Sequence, residues 1–343
     1  MPVYKIVIAG ASSLLSRELK DVFSDSPLAE SNFSLLDEQE GQGQLEQVGD
    51  EVTFIQAVSS EAFTRADFTF FCGSENLTRR YWQQALRAGS TVLDLSGVLD
   101  EEAGVLIRAP WLGTEAAAVD LFTPAIVPAH PAVIALALLI ERLQQAAPIR
   151  FIAATVLEPS SEFGRAAMDE LHQQTVNLLN FQSLPRAVYD AQAAFNLLGG
   201  MGEDAQVSLA RMEDRIRRHY EALTGGRGPA LAVQVIHAPV FHGLTFSVAV
   251  ELERPVETVT LEEALTGEHI ELILEDTDAP SNLSATGQNE VQVRLRTEPL
   301  GRNSSQAARL WLWAAADNLR LNAQNAVQCA LDLRRIRPQG TVQ

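Results

Sequence analysis

Short apolar segments alternate with helical segments over the first part of the chain, and this alternation restricts the fold more than any other feature. Apolar runs at residues 3–8, 68–72 and 91–95 predict buried strands, and residues 15–23 and 81–88 predict helices. Strands that alternate with helices form parallel sheets through right-handed crossovers. We therefore predict a doubly wound α/β domain of the nucleotide-binding type.

The pattern changes after Pro128, where regular alternation ends. The longer periodic segments predict helices at residues 132–145, 165–179 and 209–223, and strands at 150–157, 231–238, 244–253 and 291–296. Several of these strands alternate apolar and polar residues, as strands of a mixed or antiparallel sheet do. Turn-forming residues at 225–229 and 277–287 predict loops. The second part of the chain is therefore expected to be an α+β domain.

Bulk properties exclude several classes of function. The chain has 343 residues, enough for two domains, and a formal charge of −18 opposes binding to nucleic acid or anionic membranes. Only Cys72 and Cys329 are present, too few for a disulfide framework or a cysteine metal cluster. The longest apolar run, residues 132–140, is far shorter than a bilayer span. We expect a cytoplasmic protein.

A strand, a cap and a helix are predicted within residues 311–328, WLWAAADNLRLNAQNAVQ. Residues 311–316 are apolar on both faces, Asp317 or Asn318 can cap the helix, and the helix is predicted over residues 322–335. The wording DNLR followed by NAVQ resembles the C-terminal signature of aspartate-semialdehyde dehydrogenases, DNLRKGAALNAVQ, with one residue fewer and no glycine. The segments AFNLL at 194–198 and AMDEL at 167–171 are also similar to that family.

The chain is therefore interpreted as a divergent, USG-1-like homologue of that family. The resemblance implies a Rossmann-like domain at residues 1–128, completed by the C-terminal helix 319–340, and a semialdehyde-dehydrogenase-type catalytic and dimerisation domain at residues 129–318. It also implies a homodimer and NADP as cofactor.

The segment IVIAGASSLL at residues 6–15 joins a predicted strand to a helix, the place where backbone N–H groups can bind a pyrophosphate. The family reads GATGxVG here, but this chain has Ser13 and Ser16 in place of the second and third glycines. Either NADP binds, or the turn is a serine-capped helix start without a ligand. The candidate cofactor contacts are Gly10, Ser12, Ser13, Ser96 and Asn318.

Aspartate-semialdehyde dehydrogenases form an acyl intermediate on a cysteine thiolate, with a histidine as acid and base. The family's NPNCST loop matches VPAHPA at residues 127–132, which places His130 at the nucleophile position. The family's RxPVxxGH matches HAPVFHGL at 237–244, which replaces the substrate arginine by His237 and the acid/base histidine by Leu244.

Two further family positions are also substituted. The strand motif STYQAVSGAG matches residues 153–164 and replaces the family's glutamine by Leu157. The motif DNSSAFR matches DLSGVLD at residues 94–100, where a phosphate-binding arginine becomes Asp100, a reversal of charge that repels phosphate. The resemblance therefore implies a vestigial pocket with no intact catalytic set.

Three interpretations follow. The leading one is a catalytically degenerate member that keeps the fold and the dimer for a binding or regulatory role. The second is an active NADP-dependent dehydrogenase of amino-acid biosynthesis that uses Cys72 or Cys329. The third is a different enzyme built on His130 and His237, with His242 and Glu158 nearby. No HxH or HExxH spacing occurs, so we predict no metal site.

Overall fold

Two units make up the chain, and each is built on its own sheet. The computed structural model describes residues 4–38, 43–48, 51–112, 123, 125–301 and 304–336. The first unit comprises Met1–Ala129 and Asn322–Gln343, and the second comprises His130–Leu321. Residues 337–340 of the proposed C-terminal helix lie outside the described residues.

The first unit contains a seven-stranded sheet whose described strands all pair in parallel, in the order β5-β2-β1-β6-β7-β9-β8. Its strands are β1 Lys5–Ala9, β2 Asn32–Asp37, β5 Gln56–Ala57, β6 Phe68–Phe71, β7 Thr91–Asp94, β8 Leu106–Arg108 and β9 Ala125–Pro128. An antiparallel hairpin adds β3 Leu45–Val48 and β4 Glu51–Phe54, and the helices are α1 Leu14–Ser24, a 3₁₀ helix Ser60–Phe63 and α2 Glu75–Arg87. The predicted doubly wound α/β domain is confirmed.

Both faces of this sheet are covered, which explains the continuous apolar strands. On one face, Ile6 and Ile8 of β1 lie in the same buried cluster as Phe23 of α1 and Ala326 of the C-terminal helix. On the other face, Val7 lies in a second buried cluster that includes residues of α2. The C-terminal helix, α8 Asn318–Ile336, therefore supplies part of the first unit's core from Asn322 onwards.

The second unit contains a six-stranded mixed sheet in the order β11-β10-β12-β15-β14-β13. Its strands are β10 Ile149–Glu158, β11 Leu231–His237, β12 Leu244–Glu257, β13 Ile270–Leu272, β14 Val291–Pro299 and β15 Gln306–Ala316. Its helices are α3 Pro131–Ala146, a 3₁₀ helix Ser160–Phe163, α4 Arg165–Leu179, α5 Leu209–Thr224, α6 Thr258–Ala264 and α7 Asn282–Ala285. The predicted α+β domain is confirmed.

The two faces of this second sheet differ in exposure. Ile152, Ala154, Val156 and Glu158 of β10 are buried, whereas the residues between them face the other side. On β15 the same alternation leaves Trp311 38% and Trp313 37% exposed. The prediction that residues 311–316 are covered on both faces is therefore wrong for the chain by itself, because the two tryptophans lie on the open face.

Other differences concern boundaries and short elements. Helix α2 begins at Glu75 rather than at residue 81, because Ser74 caps it by accepting a hydrogen bond from the Leu77 N–H at 3.1 Å. Helix α8 begins at Asn318 rather than at residue 322. The predicted loop 277–287 contains α7, closed by a capping box. No helix within the described residues combines the length and the apolar character needed to cross a bilayer.

Candidate active site

In the first unit, the turn after β1 joins the strand to the N-terminus of α1 through a glycine in a left-handed conformation. Gly10 has φ +93°, a conformation that favours glycine, and a Cβ there would overlap the backbone of Gly73. Ser13 caps α1 by accepting a hydrogen bond from the Ser16 N–H at 3.0 Å. The Ser12 N–H donates to Asp37 Oδ2 at 2.6 Å. The structure therefore brings Gly10, Ser12 and Ser13 together at the start of α1.

Cys72 lies beneath this turn. Its Sγ donates to the carbonyl oxygen of Ala9 at 3.4 Å, and burial raises the pKa of the thiol to about 12. Ser16, at the third-glycine position, is fully buried in α1. Cys329 of α8 is also buried, and burial raises its pKa as well. Neither thiol is placed to ionise near neutral pH.

The loop after β7 carries the next two candidates. Asp94 is fully buried and accepts hydrogen bonds from the Ser96 N–H at 2.9 Å and the Leu99 N–H at 2.8 Å. The Ser96 hydroxyl lies 2.6 Å from Asp94 Oδ1 and 2.9 Å from Thr78 Oγ1. Asp100 follows at the end of this loop, half-buried. Hydrogen bonds to the Asp94 carboxylate thus fix this loop, and the position that the resemblance assigns to an arginine carries the acidic Asp100.

In the second unit, His130 caps helix α3. Its Nδ1 accepts a hydrogen bond from the Ala132 N–H at 3.2 Å, which leaves the ring proton on Nε2, 3.0 Å from Glu162 Oε1. Its backbone N–H donates to Nδ1 of His219 at 3.0 Å, and the side chain is 1% exposed. Nδ1 of His130 is therefore committed to the helix cap, whereas the buried Nε2 lies at ion-pair distance from Glu162 without the geometry of a hydrogen bond.

Glu162 joins His130 to the start of α8. Asn318 Nδ2 donates to Glu162 Oε2 at 2.9 Å, and Asn318 Oδ1 accepts from the Ser161 hydroxyl at 3.2 Å and the Gly243 N–H at 3.3 Å. Burial opposes ionisation of Glu162, but His130, Asn318 and the charge of Arg215 together hold its pKa below the usual value. Glu162 is therefore an ionised carboxylate, and the side chain of Asn318 is fully engaged within the second unit.

Glu158 and His237 lie side by side at the ends of β10 and β11. His237 Nδ1 lies 3.1 Å from the carbonyl oxygen of Glu158, to which it donates, and its ring stacks on Tyr189 at 4.8 Å. Burial lowers the pKa of His237 to about 4. Burial, followed by the charge of Glu162, raises the pKa of Glu158 well above its usual value. Burial therefore favours the neutral form of both partners, the imidazole of His237 and the carboxylic acid of Glu158.

The free polar atoms of this pair are buried. Both carboxyl oxygens of Glu158 and Nε2 of His237 have no hydrogen-bond partner among the described residues, although both side chains are 0% exposed. Unsatisfied polar atoms of this kind need an explanation such as a water molecule or a ligand. No group of three or more His, Cys, Asp or Glu side chains that could hold a metal occurs within the described ranges.

A hydrogen-bonded loop fixes Tyr189 against this pair. Glu170 of α4 accepts from the Val188 N–H at 2.7 Å and the Tyr189 N–H at 3.2 Å, and Gln174 accepts from the Ala193 N–H at 2.7 Å. The Tyr189 hydroxyl lies 2.8 Å from Ser160 Oγ, and burial raises its pKa to about 12. These hydrogen bonds hold the Tyr189 ring in a fixed position against His237.

The structure unites only part of the sequence-predicted set in the second unit. Leu244 is buried, and the strand register places it on the same face as Glu158 because Thr245 lies opposite Leu157. Leu157, which we matched to the family's glutamine, points to the opposite face, and Glu158 is the residue that lies beside His237. The alternation of side chains along β10 was the sequence signal that Glu158 and Leu157 face opposite sides. Glu162 was not predicted as a site residue, because no pattern in the sequence indicates its contact with His130.

Comparisons with known proteins agree with this architecture. Residues 5–131 match the model of the semialdehyde dehydrogenase NAD binding domain, and residues 140–321 match that of the semialdehyde dehydrogenase dimerisation domain. The USG-1 protein homologs of Pseudomonas aeruginosa and Azotobacter vinelandii are 30% and 28% identical, over 94% and 96% of this chain and 95% and 97% of their own. The structure of a probable aspartate-semialdehyde dehydrogenase from Pseudomonas aeruginosa is 27% identical, covers 97% of this chain and 98% of its own, and superposes with a TM-score of 0.85. The chain therefore belongs to the aspartate-semialdehyde dehydrogenase family.

Proposed function

We propose that this chain is a catalytically degenerate member of its family, retained for a binding or regulatory role. The observation that carries the proposal is the state of His130, which occupies the position aligned with the family's nucleophile. One ring nitrogen caps α3 and the other faces Glu162. An imidazole that is 1% exposed, with its Nδ1 lone pair in a helix cap and its Nε2 buried against a carboxylate, is not placed to attack an aldehyde and form an acyl intermediate.

The cysteines support the same proposal. Cys72 and Cys329 are buried, belong to the first unit, and have pKa values raised by burial. A thiol must ionise to act as a nucleophile, so neither suits the acylation step that the alternative interpretation requires. His237 has a lowered pKa of about 4 and cannot replace a substrate-binding arginine as a cation at neutral pH.

The proposal also includes the assembly, the cofactor, the domain boundaries and the location of the protein. The match to a dimerisation domain supports a homodimer. The NAD-binding domain supports a dinucleotide at Gly10, Ser12 and Ser13. We place the nucleotide-binding domain at residues 1–128 with 319–340 and the second domain at residues 129–318. A cytoplasmic location fits the strongly acidic composition.

The proposal is tested by assaying the purified protein for phosphate-dependent oxidation of aspartate semialdehyde with NADP and with NAD. An aspartate-semialdehyde dehydrogenase of known activity serves as the positive control. We expect no turnover above the buffer rate and no acyl adduct by mass spectrometry of the intact protein.

A Cys72→Ser/Cys329→Ser double variant separates the two leading interpretations. If the wild-type protein turns over and the double variant does not, the chain is an active thiol enzyme and the proposal is wrong. Turnover that survives in the double variant but disappears in His130→Ala would instead establish chemistry based on histidine.

A further inference from the structure

We propose that the nucleotide site of the first unit takes NAD(H) and rejects NADP(H), and that Asp37 is the residue that discriminates between them. The inference concerns binding alone and does not depend on the loss of catalysis. It departs from the NADP that the family resemblance implies.

The location of Asp37 supports this assignment. Strands β1 and β2 pair in parallel with Ala9 opposite Leu36, so Asp37 ends β2 directly beside the turn at Gly10. Strand β1 also pairs with β6 on its other side, and the chain reverses its direction of progress across the sheet at this point. Dinucleotides bind at such a switch point, with the adenosine ribose beside the end of the second strand.

The turn itself can accept a dinucleotide. Gly10 and Gly73 approach backbone to backbone, more closely than a Cβ on either residue would allow. Ser13 turns its hydroxyl to the Ser16 N–H as the helix cap, and Ser16 is buried. The two serines that replace glycines are therefore accommodated within the protein. Because the Ser12 and Ser16 N–H groups have protein acceptors, a pyrophosphate would be bound by the other N–H groups at the start of α1.

The carboxylate of Asp37 is held in a fixed orientation. Its Oδ2 accepts from the Ser12 N–H at 2.6 Å and its Oδ1 accepts from the Glu38 N–H at 2.8 Å, and the residue is 8% exposed. A carboxylate at this place can accept hydrogen bonds from the ribose 2′-hydroxyl of NAD, whereas NADP carries a phosphate there and needs a cation. The phosphate's charge of about −1.5 to −2 near neutral pH would face Asp37 directly.

The surrounding charges reinforce the discrimination. Glu38 adds a carboxylate that accepts from the Ser74 hydroxyl at 3.1 Å. Three of the five basic side chains of α1 and α2 have other partners: Lys20 pairs with Glu46 at 2.7 Å, Arg79 pairs with Glu75 at 3.2 Å, and Arg80 lies over the ring of Tyr81.

Isothermal calorimetry with NAD and NADP on the full-length protein tests this inference. We expect NAD to bind at least about tenfold more tightly than NADP, a difference of about 1.4 kcal/mol. Asp37→Asn keeps an oxygen acceptor for the Ser12 N–H but removes the charge, and should reduce this ratio at least about tenfold. Asp21→Asn removes the same charge from an exposed position on α1 and should leave the ratio unchanged.

Thermal unfolding of Asp37→Asn shows whether the variant is folded, and if it is not, Asp37→Ser takes its place. Equal affinities in the wild-type protein, tighter binding of NADP, or binding of neither nucleotide at millimolar concentration would overturn the inference. So would a ratio that Asp37→Asn and Asp37→Ser leave unchanged. Because no turnover is measured, this result is independent of the dehydrogenase assay.

Discussion

At the scale of single residues, Glu158 and His237 show how burial sets protonation. Burial disfavours the charged form of each, so it raises the pKa of the acid and lowers that of the base. The contribution of Glu158 to folding stability is complete below the ordinary pKa of a glutamate, and it is lost as the pH rises through the raised pKa of the folded state. For His237, stability is lost as the pH falls from about 6.5 towards 4.

Replacing Glu158 by glutamine should therefore stabilise the protein more at high pH than at low pH. Glutamine has nearly the same shape and cannot ionise, so it removes the cost of keeping a buried carboxyl protonated. We expect the gain in unfolding free energy to grow by about 1–3 kcal/mol between pH 5 and pH 8. Urea unfolding at several pH values measures it.

Glu203→Gln, at an exposed position of the second unit, is the matched control and should show no such trend. A difference between Glu158→Gln and the wild-type protein that stays constant across this pH range would show that Glu158 does not titrate abnormally.

At the scale of secondary-structure elements, the start of α8 depends on one carboxylate. Asp317 Oδ1 accepts from the Leu319 N–H and the Arg320 N–H at 3.0 Å each, and Oδ2 accepts from the Gly287 N–H at 2.8 Å. The residue is 6% exposed. Asp317 thus caps the helix and also ties the loop before β14 to it.

Asp317→Ala should destabilise the protein by about 2 kcal/mol, because it leaves the helix N-terminus and a loop N–H without acceptors. Asp317→Asn keeps one acceptor oxygen and should cost less. Thermal unfolding followed by circular dichroism measures both variants. Asp278→Ala, at an exposed loop position, is the control, and an equal loss in that variant would contradict the assigned role.

The elements predicted correctly from the sequence are those with long apolar or periodic segments. Helix α4 was predicted with its observed bounds, residues 165–179. Strand β2 was missed because NFSLLD mixes polar and apolar residues. Strand β9 was missed because its last two residues were assigned to the loop motif at residues 127–132. The first turn of α2 was missed because ENLTRR contains only one apolar residue. These elements are defined by neighbouring strands and caps, which a local pattern does not contain.

The candidate site was predictable only in part, for a related reason. His130 and His237 follow from motif spacing. Side chains alternate along a strand, however, so motif matching drew attention to Leu157 and not to its buried neighbour Glu158. The contact between His130 and Glu162 joins two segments far apart in sequence. Burial of Glu158, which determines its protonation, depends on the packing of the whole second unit.

At the scale of the whole molecule, one face of the second sheet leaves large apolar side chains exposed. Phe151, Trp311 and Trp313 lie on this face and are 50%, 38% and 37% exposed. The register places Ala249 between Ala153 and Trp311 in the middle of it. Exposed large apolar side chains on one sheet face favour an interface, and the family match is to a dimerisation domain.

Ala249→Arg should therefore convert a homodimer into a monomer, because a large charged side chain would have to be buried at the centre of the interface. Size-exclusion chromatography with light scattering should give twice 37.4 kDa for the wild-type protein and 37.4 kDa for the variant. Ala222→Arg, on the exposed side of α5, should stay dimeric. A monomeric wild-type protein, or a dimeric Ala249→Arg, would show that this face is not the interface.

The cap that His130 provides to α3 has a consequence for how this family can change. A nucleophile at the start of a helix must leave its reactive atom uncommitted, whereas a cap must commit that atom to the backbone. The imidazole of His130 holds the Ala132 N–H and Glu162 at once. A residue at this position can therefore cap the helix or present a free reactive atom, but not both, and replacing His130 by cysteine should give up the imidazole cap.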